Sequence, residues 1–246
     1  MIELHRQYIL QSLDAFKGQP NVIHSIGEEF TGPLHFVQFW LDVIGEWEQE
    51  NGRVLVALAV NKDVQDAILA DPIRSKIVDI IDIEQWFYHN KGEYAPEGGV
   101  NMAQRQYMRK IRTGSARFED VYRAVSEYRS QYPDKAVIYS AQKYAEMGWA
   151  SLMAGGSCAA IPVKDLSFLS SLSQMTSHKI DTTGVYLLEG NNGYLIYNDA
   201  GHFTMSLKSG SYKLYEIAHD TGDISSPHNV SGTLRLTHKG IYWLKR

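Results

Sequence analysis

Apolar residues recur at helical spacing from the start of the chain, at Leu4, Tyr8, Ile9, Leu13 and Phe16, and the Gly18-Gln19-Pro20 break ends that pattern. The run Asn21-Val22-Ile23-His24-Ser25-Ile26 reads as a short strand. Gly32-Pro33 opens a second helix, because proline is tolerated at the first helical position. Leu34, Val37, Leu41, Ile44 and Trp47 form one apolar stripe along it. After Gly52 comes an almost unbroken apolar run, residues 54–60, the pattern of a parallel strand covered on both faces. A short helix over 63–69 and a strand over 77–83 follow. Beyond a polar, glycine-containing loop from Trp86 to Asn101, an amphipathic helix carries Phe118, Val121, Tyr122, Val125 and Tyr128. A strand over 136–140, a helical segment over 144–154, a Gly155-Gly156 break and a last strand over 158–163 complete the series. Strands alternating with helices predict a parallel sheet with right-handed crossovers.

Past the serine-rich stretch from Ser167 to Ser177 the period changes to two. Short aromatic and β-branched runs are separated by Asn192-Gly193, Ala200-Gly201, Ser209-Gly210 and Lys239-Gly240, which predicts a small antiparallel sandwich. The expected organisation is an α/β domain over 1–165, a linker over 166–182 and an all-β domain over 183–246.

Composition narrows the function classes. In 246 residues, 44% are hydrophobic and 21% charged, enough to bury a core. The net charge of −4 leaves no electrostatic footprint for nucleic acid. No apolar run approaches the about 20 residues of a membrane span, so neither nucleic acid nor membrane is an expected partner. The first six residues lack the basic start and apolar core of a signal peptide. The single cysteine, Cys158, excludes a disulfide framework within the chain and a multi-cysteine metal site. No pair of histidines has metal-ligand spacing, no Gly-x-Ser-x-Gly elbow occurs, and Gly155-Gly156-Ser157 lacks the lysine of a phosphate loop. No metal and no cofactor are therefore expected.

The segment Asn21-Val22-Ile23-His24-Ser25-Ile26-Gly27-Glu28-Glu29, followed by Phe30-Thr31-Gly32-Pro33, resembles the fourth strand of (β/α)8-barrel glycoside hydrolases. The stretch from Gly148-Trp149 to Gly155-Gly156-Ser157 is similar to the helix and turn entering their eighth strand. The ending from Gly210 to Leu244 is similar to their C-terminal β-sandwich of collagen-binding type. The resemblance implies an α/β fold, a partial TIM-type barrel of about strands 4–8 followed by the sandwich, and carbohydrate as substrate. It also implies a periplasmic or secreted parent. Since a barrel needs eight strands and about 250 residues, the chain is expected to be the C-terminal portion of a longer hydrolase. Its open strand edge is then expected either to self-associate or to meet a missing N-terminal half-barrel.

Glycoside hydrolysis needs two carboxyls across the scissile bond. The resemblance makes Glu29 the general acid/base, with Glu28 beside it; the alternative is that both acids merely cap the next helix. Asp82 and Glu84 alternate toward one face near a strand end, so one of them is the second carboxyl unless it pairs with an arginine. Where these hydrolases carry a nucleophile at the end of strand seven, this chain has Tyr139-Ser140-Ala141-Gln142, without an acid. Trp86, Tyr88, His89 and Trp149 are the expected sugar-contacting residues. Two rival readings stand beside the hydrolase: a non-catalytic carbohydrate-binding protein, and an open flavodoxin-like sheet for another ligand.

Overall fold

The computed structural model describes residues 2–30, 33–88, 94–95, 116–141 and 143–246, with 28–30 and 94–95 described by backbone alone. The chain divides into two units, Met1–Ser151 with Gly156–Ala159, and Leu152–Gly155 with Ala160–Arg246.

In the first unit the order is α1 (Ile2–Ala15), β1 (Ile23–Phe30), α2 (Leu34–Asn51), β2 (Leu55–Val60) and α3 (Lys62–Leu69). It continues through β3 (Ile80–Ile83), β4 (Phe87–Tyr88), β5 (Tyr94–Ala95), α4 (Phe118–Gln131), β6 (Ala136–Tyr139) and α5 (Gly148–Met153). The four long strands form one parallel sheet in the order β1-β2-β3-β6. The stripe predicted for α2 is buried at Val37, Leu41, Ile44 and Trp47, and the Trp47 indole N–H donates to Asp14 Oδ1 at 2.8 Å, fastening α2 to α1.

The two faces of this sheet differ. Register aligns Ile26, Leu58, Ile81 and Val137 in one row. Because successive strand residues alternate, Val56, Leu58, Ile81, Ile83 and Val137 share a face, and each is 0% exposed. The opposite face carries Ile23 and Leu55, 53% and 41% exposed, with Ser25, Asp82, Ile138 and Ser140 at least partly open. Parallel sheets usually bury both faces; this one buries one face almost fully and leaves the other partly open, with Ser25, Asp82 and Ser140 among its apolar residues.

The second unit begins with α6 (Leu166–Leu172), whose N-terminus is capped by Asp165 accepting from Phe168 N at 2.7 Å. Strands β7 (Met175–His178), β8 (Val185–Gly190), β9 (Gly193–Asn198), β10 (Phe203–Ile217), β11 (His228–Leu236) and β12 (Gly240–Lys245) follow. They make one six-stranded antiparallel sheet, ordered β11-β10-β12-β9-β8-β7. The β10–β11 pairing is interrupted between Ser206 and Ser211. The break lets Phe203, Leu207, Leu234 and Leu236 join Val185, Ile196, Leu214 and Leu244 in one buried cluster.

Three readings of the sequence differ from the structure. Residues 158–163 do not form a strand, and the described parallel sheet has four strands where five were expected. Cys158 adopts a left-handed φ of 53°, Pro162 lacks an N–H for a ladder, and the tie to the sheet is Ser157 N donating to Val137 O at 2.7 Å. Cys158 is exposed, contrary to its place in an apolar run. The stretch expected as a linker, 166–182, carries α6 and β7.

Candidate functional site at the carboxyl edge of the parallel sheet

Parallel α/β sheets gather ligand-facing groups beyond the carboxyl ends of their strands. Here β1, β2, β3 and β6 all end on the same edge. On β1 the register slips between Ile26 and Phe30, where Gly27 has φ +100°. A Cβ there would lie 2.5 Å from Val60 Cγ1 and 2.7 Å from Ala59 O, so only glycine fits. Such irregularities re-aim the residues that follow. Glu28 and Glu29 lie on this segment, within β1 and at the same edge as Asp82; their side chains lie outside the described residues.

Asp82 sits near the end of β3 on the open face. Ser140, just past β6 and on the same face, donates its hydroxyl to Asp82 Oδ1 at 2.5 Å. Burial pushes the Asp82 carboxyl up to about 6; the Ser140 hydrogen bond opposes that shift, and the nearby Glu84 charge adds to it. Glu84 Oε2 is buried with no hydrogen-bond partner among the described residues. The β2–β3 ladder pairs Ala57 with Ile80 and Leu58 with Ile81 and goes no further. Beyond it, on either side of the gap, stand Glu84 and Asn61. Asn61 is 2% exposed, and neither its Nδ2 nor its Oδ1 has a partner among the described residues. Buried polar atoms left unpaired cost about 1–3 kcal/mol each, so three of them at one strand edge mark a place suited to polar guests.

A bonded network underlies this edge. Gln65 Nε2 donates to Leu58 O at 2.8 Å and to Asp82 O at 3.0 Å, while its Oε1 accepts from Trp86 Nε1 at 2.9 Å. Lys62 Nζ reaches Asp66 Oδ2 and Glu127 Oε1, both at 2.8 Å. Burial works against the Lys62 ammonium, and the hydrogen bonds from it to Asp66 and Glu127 outweigh burial, holding its pKa above the ordinary lysine range. Tyr88 donates to Glu127 Oε2, and Tyr128 donates to Asp66 Oδ1 at 2.6 Å.

Three of the expected sugar-contacting residues pack inward. Trp86, Tyr88 and Trp149 are buried, the first at 1% exposure. Trp86 packs edge-on against Tyr88 and Tyr128 and spends its N–H on Gln65, and the Arg123 guanidinium lies 4.0 Å over the Tyr88 ring. His89 lies outside the described residues. The structure brings Asp82, Glu84 and the Glu28–Glu29 backbone to one edge, and adds Ser140 and Asn61. Asn61 directly follows the apolar run of β2, the one sequence signal that marks it. Lys62 has a local partner in Asp66 four residues on, but Gln65 and Glu127 carry no local signal, because Trp86, Asp82 and Lys62 lie far from them along the chain.

A family model described as "Domain of unknown function (DUF6298)" matches residues 1–175. No curated protein matches the chain. Among solved structures, one named "Glycoside hydrolase" is similar with a TM-score of 0.61 at 12% identity, covering 99% of this chain and 68% of that one. At that identity the likeness shows the fold alone.

Proposed function

The chain belongs to the DUF6298 family, and from that premise we propose that it is a carbohydrate-active protein, a glycoside hydrolase working by carboxylate chemistry. In this reading the first unit is the later part of a (β/α)8 barrel, about strands 4–8, and the second is an appended β-sandwich of collagen-binding type. The open sheet face is the barrel interior. Strands from outside these residues, or a second copy of the chain, add at the β1 edge, where Ile23 is 53% exposed.

One observation carries the reading: Asp82, raised to about 6, stands beside Glu84 on the open face at the carboxyl edge. A carboxyl held near 6 keeps a proton close to neutral pH and can deliver it to a leaving glycosidic oxygen. Ser140 orients it through the bond to Oδ1. Glu29, ending β1, is the proposed second carboxyl, with Glu84 as its alternate and Glu28 among the substrate contacts. One strand separates β1 from β3, so their axes are about 10 Å apart. Two inward-leaning side chains close that gap to the about 5–9.5 Å that hydrolysis requires. Asn61 offers a donor and an acceptor to a sugar hydroxyl.

The test is hydrolysis of a panel of aryl glycosides and polysaccharides by the full chain, by Asp82→Asn and by Glu29→Gln. The expected result is release of reducing sugar by the parent and loss of at least about 100-fold in each variant. Activity that survives both substitutions would refute the paired-acid assignment. A second reading is favoured by Ser140, which directly follows β6 where the resembled hydrolases carry a nucleophilic acid. It is a carbohydrate-binding protein without turnover, for which the same panel shows binding and no release.

A further inference from the structure

The second unit has a cleft of its own, about 610 Å³ in volume, within the about 300–1,000 Å³ typical of small-molecule sites. Its floor is the sheet face opposite the buried cluster. There Tyr197 of β9, Ile241 of β12 and Ile217 of β10 are cross-strand neighbours in one row. Tyr197 is half-buried, and His219 meets it edge-on with ring centroids 6.1 Å apart. The rim is polar: Asp199 and Lys239 pair at 2.8 Å, and Glu216 stands beside them, held from outside the cleft by His238 at 3.3 Å.

The far wall is a turn that its own bonds hold in place. Ala218 N donates to Asp223 O and Gly222 N to Ala218 O, both at 2.9 Å, and the Thr221 hydroxyl donates to Asp223 Oδ2 at 2.6 Å. Gly222, at φ +73°, lies so close to Pro162 and Val163 that a Cβ would come within 2.6 Å of their backbone. The wall is therefore preorganised, which lowers the cost of binding.

We propose that this cleft is a saccharide-binding site, separate from the carboxyl edge of the parallel sheet and specific for neutral pyranose chains. Ile217 and Ile241 lie beneath the floor at 5% and 2% exposure, and the half-buried Tyr197 ring above them suits the C–H face of a pyranose ring. Carboxylates are acceptor-only groups with several lone pairs, and Asp199, Glu216 and Asp223 keep capacity for ligand hydroxyls after their present bonds. Three carboxylates against the one ammonium of Lys239 disfavour uronates and sulfated sugars, by like-charge repulsion. Among the described residues no cluster of three or more His, Cys, Asp or Glu side chains is arranged to hold a metal ion. That sets a cation aside as the occupant.

The experiment is calorimetric titration of the full chain with soluble xylan, galactomannan and β-glucan, and with polygalacturonate as the anionic probe. Binding of at least one neutral polysaccharide is expected. Tyr197→Ala should weaken it by at least about tenfold, and so should Glu216→Ala, whose exposed position leaves folding intact if the tyrosine variant fails to fold. Asp82→Asn alters only the carboxyl edge of the other unit, so binding lost in Tyr197→Ala or Glu216→Ala but retained in Asp82→Asn belongs to this cleft. No binding to any neutral polysaccharide would overturn the proposal. So would preference for polygalacturonate, undiminished binding by folded Tyr197→Ala or Glu216→Ala, or equal loss in Asp82→Asn.

Discussion

Replacing Asp82 with asparagine should stabilise the protein above pH 6 while removing the proton proposed for catalysis. The carboxyl rises from an ordinary value of 3.8 to about 6 in the folded chain, chiefly through burial. Between those two values the folded state binds more protons than the unfolded one, so stability falls as pH rises through the window. The penalty is absent below about pH 4, grows between about pH 4 and 6, and is complete above about pH 6. A shift of about 2 units corresponds to about 3 kcal/mol as an upper bound, and to about 1–2 kcal/mol once partial exposure and solvent screening are allowed for. Asparagine keeps an oxygen to accept from Ser140 and carries no charge to desolvate. At this size about 1–2 kcal/mol is worth about 2–8 °C in melting temperature. Calorimetric melts of parent and variant at pH 4, 5, 6 and 7 would read the difference directly, since every other titrating group is common to both. Curves that stay parallel across the pH range, or a variant less stable at pH 7, would show that Asp82 is not held against its charge.

Gly27→Ala should destabilise by at least about 2 kcal/mol, because the new Cβ meets Val60 and a carbonyl at a left-handed φ; chemical denaturation checks this. Lys62→Met should cost about 1–3 kcal/mol by leaving Asp66 and Glu127 without their shared cation, and Glu127→Gln in that background should recover part of the loss. Gln65→Leu should cost at least about 3 kcal/mol by stranding Leu58 O, Asp82 O and Trp86 Nε1, seen as faster hydrogen exchange at the ends of β2 and β3.

Elements whose packing is set by local periodicity were legible. The α2 stripe and the apolar run of β2 are buried as their spacing predicts, and the alternation of Asp82 with Glu84 located the acidic strand end. Strand β3 starts later than its apolar run: the Asp79 backbone still donates to Val56 O and accepts from Ala136 N, but its carboxylate, paired with Arg53, takes Val56 N at 2.9 Å. The run 158–163 looked like a strand by composition, but its backbone takes a left-handed turn at Cys158 that composition does not encode. Trp86 and Tyr88 looked like binding residues because an aromatic near a loop has the same sequence signature whether it faces a ligand or a core. Only the partners, Gln65 and Glu127, decide it. Ser140 reaches Asp82 across 58 positions of sequence, a relation that exists only once the register of β3 and β6 is known.

Gln65 also sets a width. The β2–β3 register covers two residue pairs, Ala57 with Ile80 and Leu58 with Ile81. A single amide takes over, gripping Leu58 O with one end of its NH2 and Asp82 O with the other. Its oxygen is pinned by the Trp86 indole, so the amide cannot flip. Glutamate, identical in length, would turn an acceptor toward two carbonyl oxygens and push the strands apart. The mouth of the crevice is thus gauged by one neutral side chain of fixed length, and its aperture changes only when that residue does.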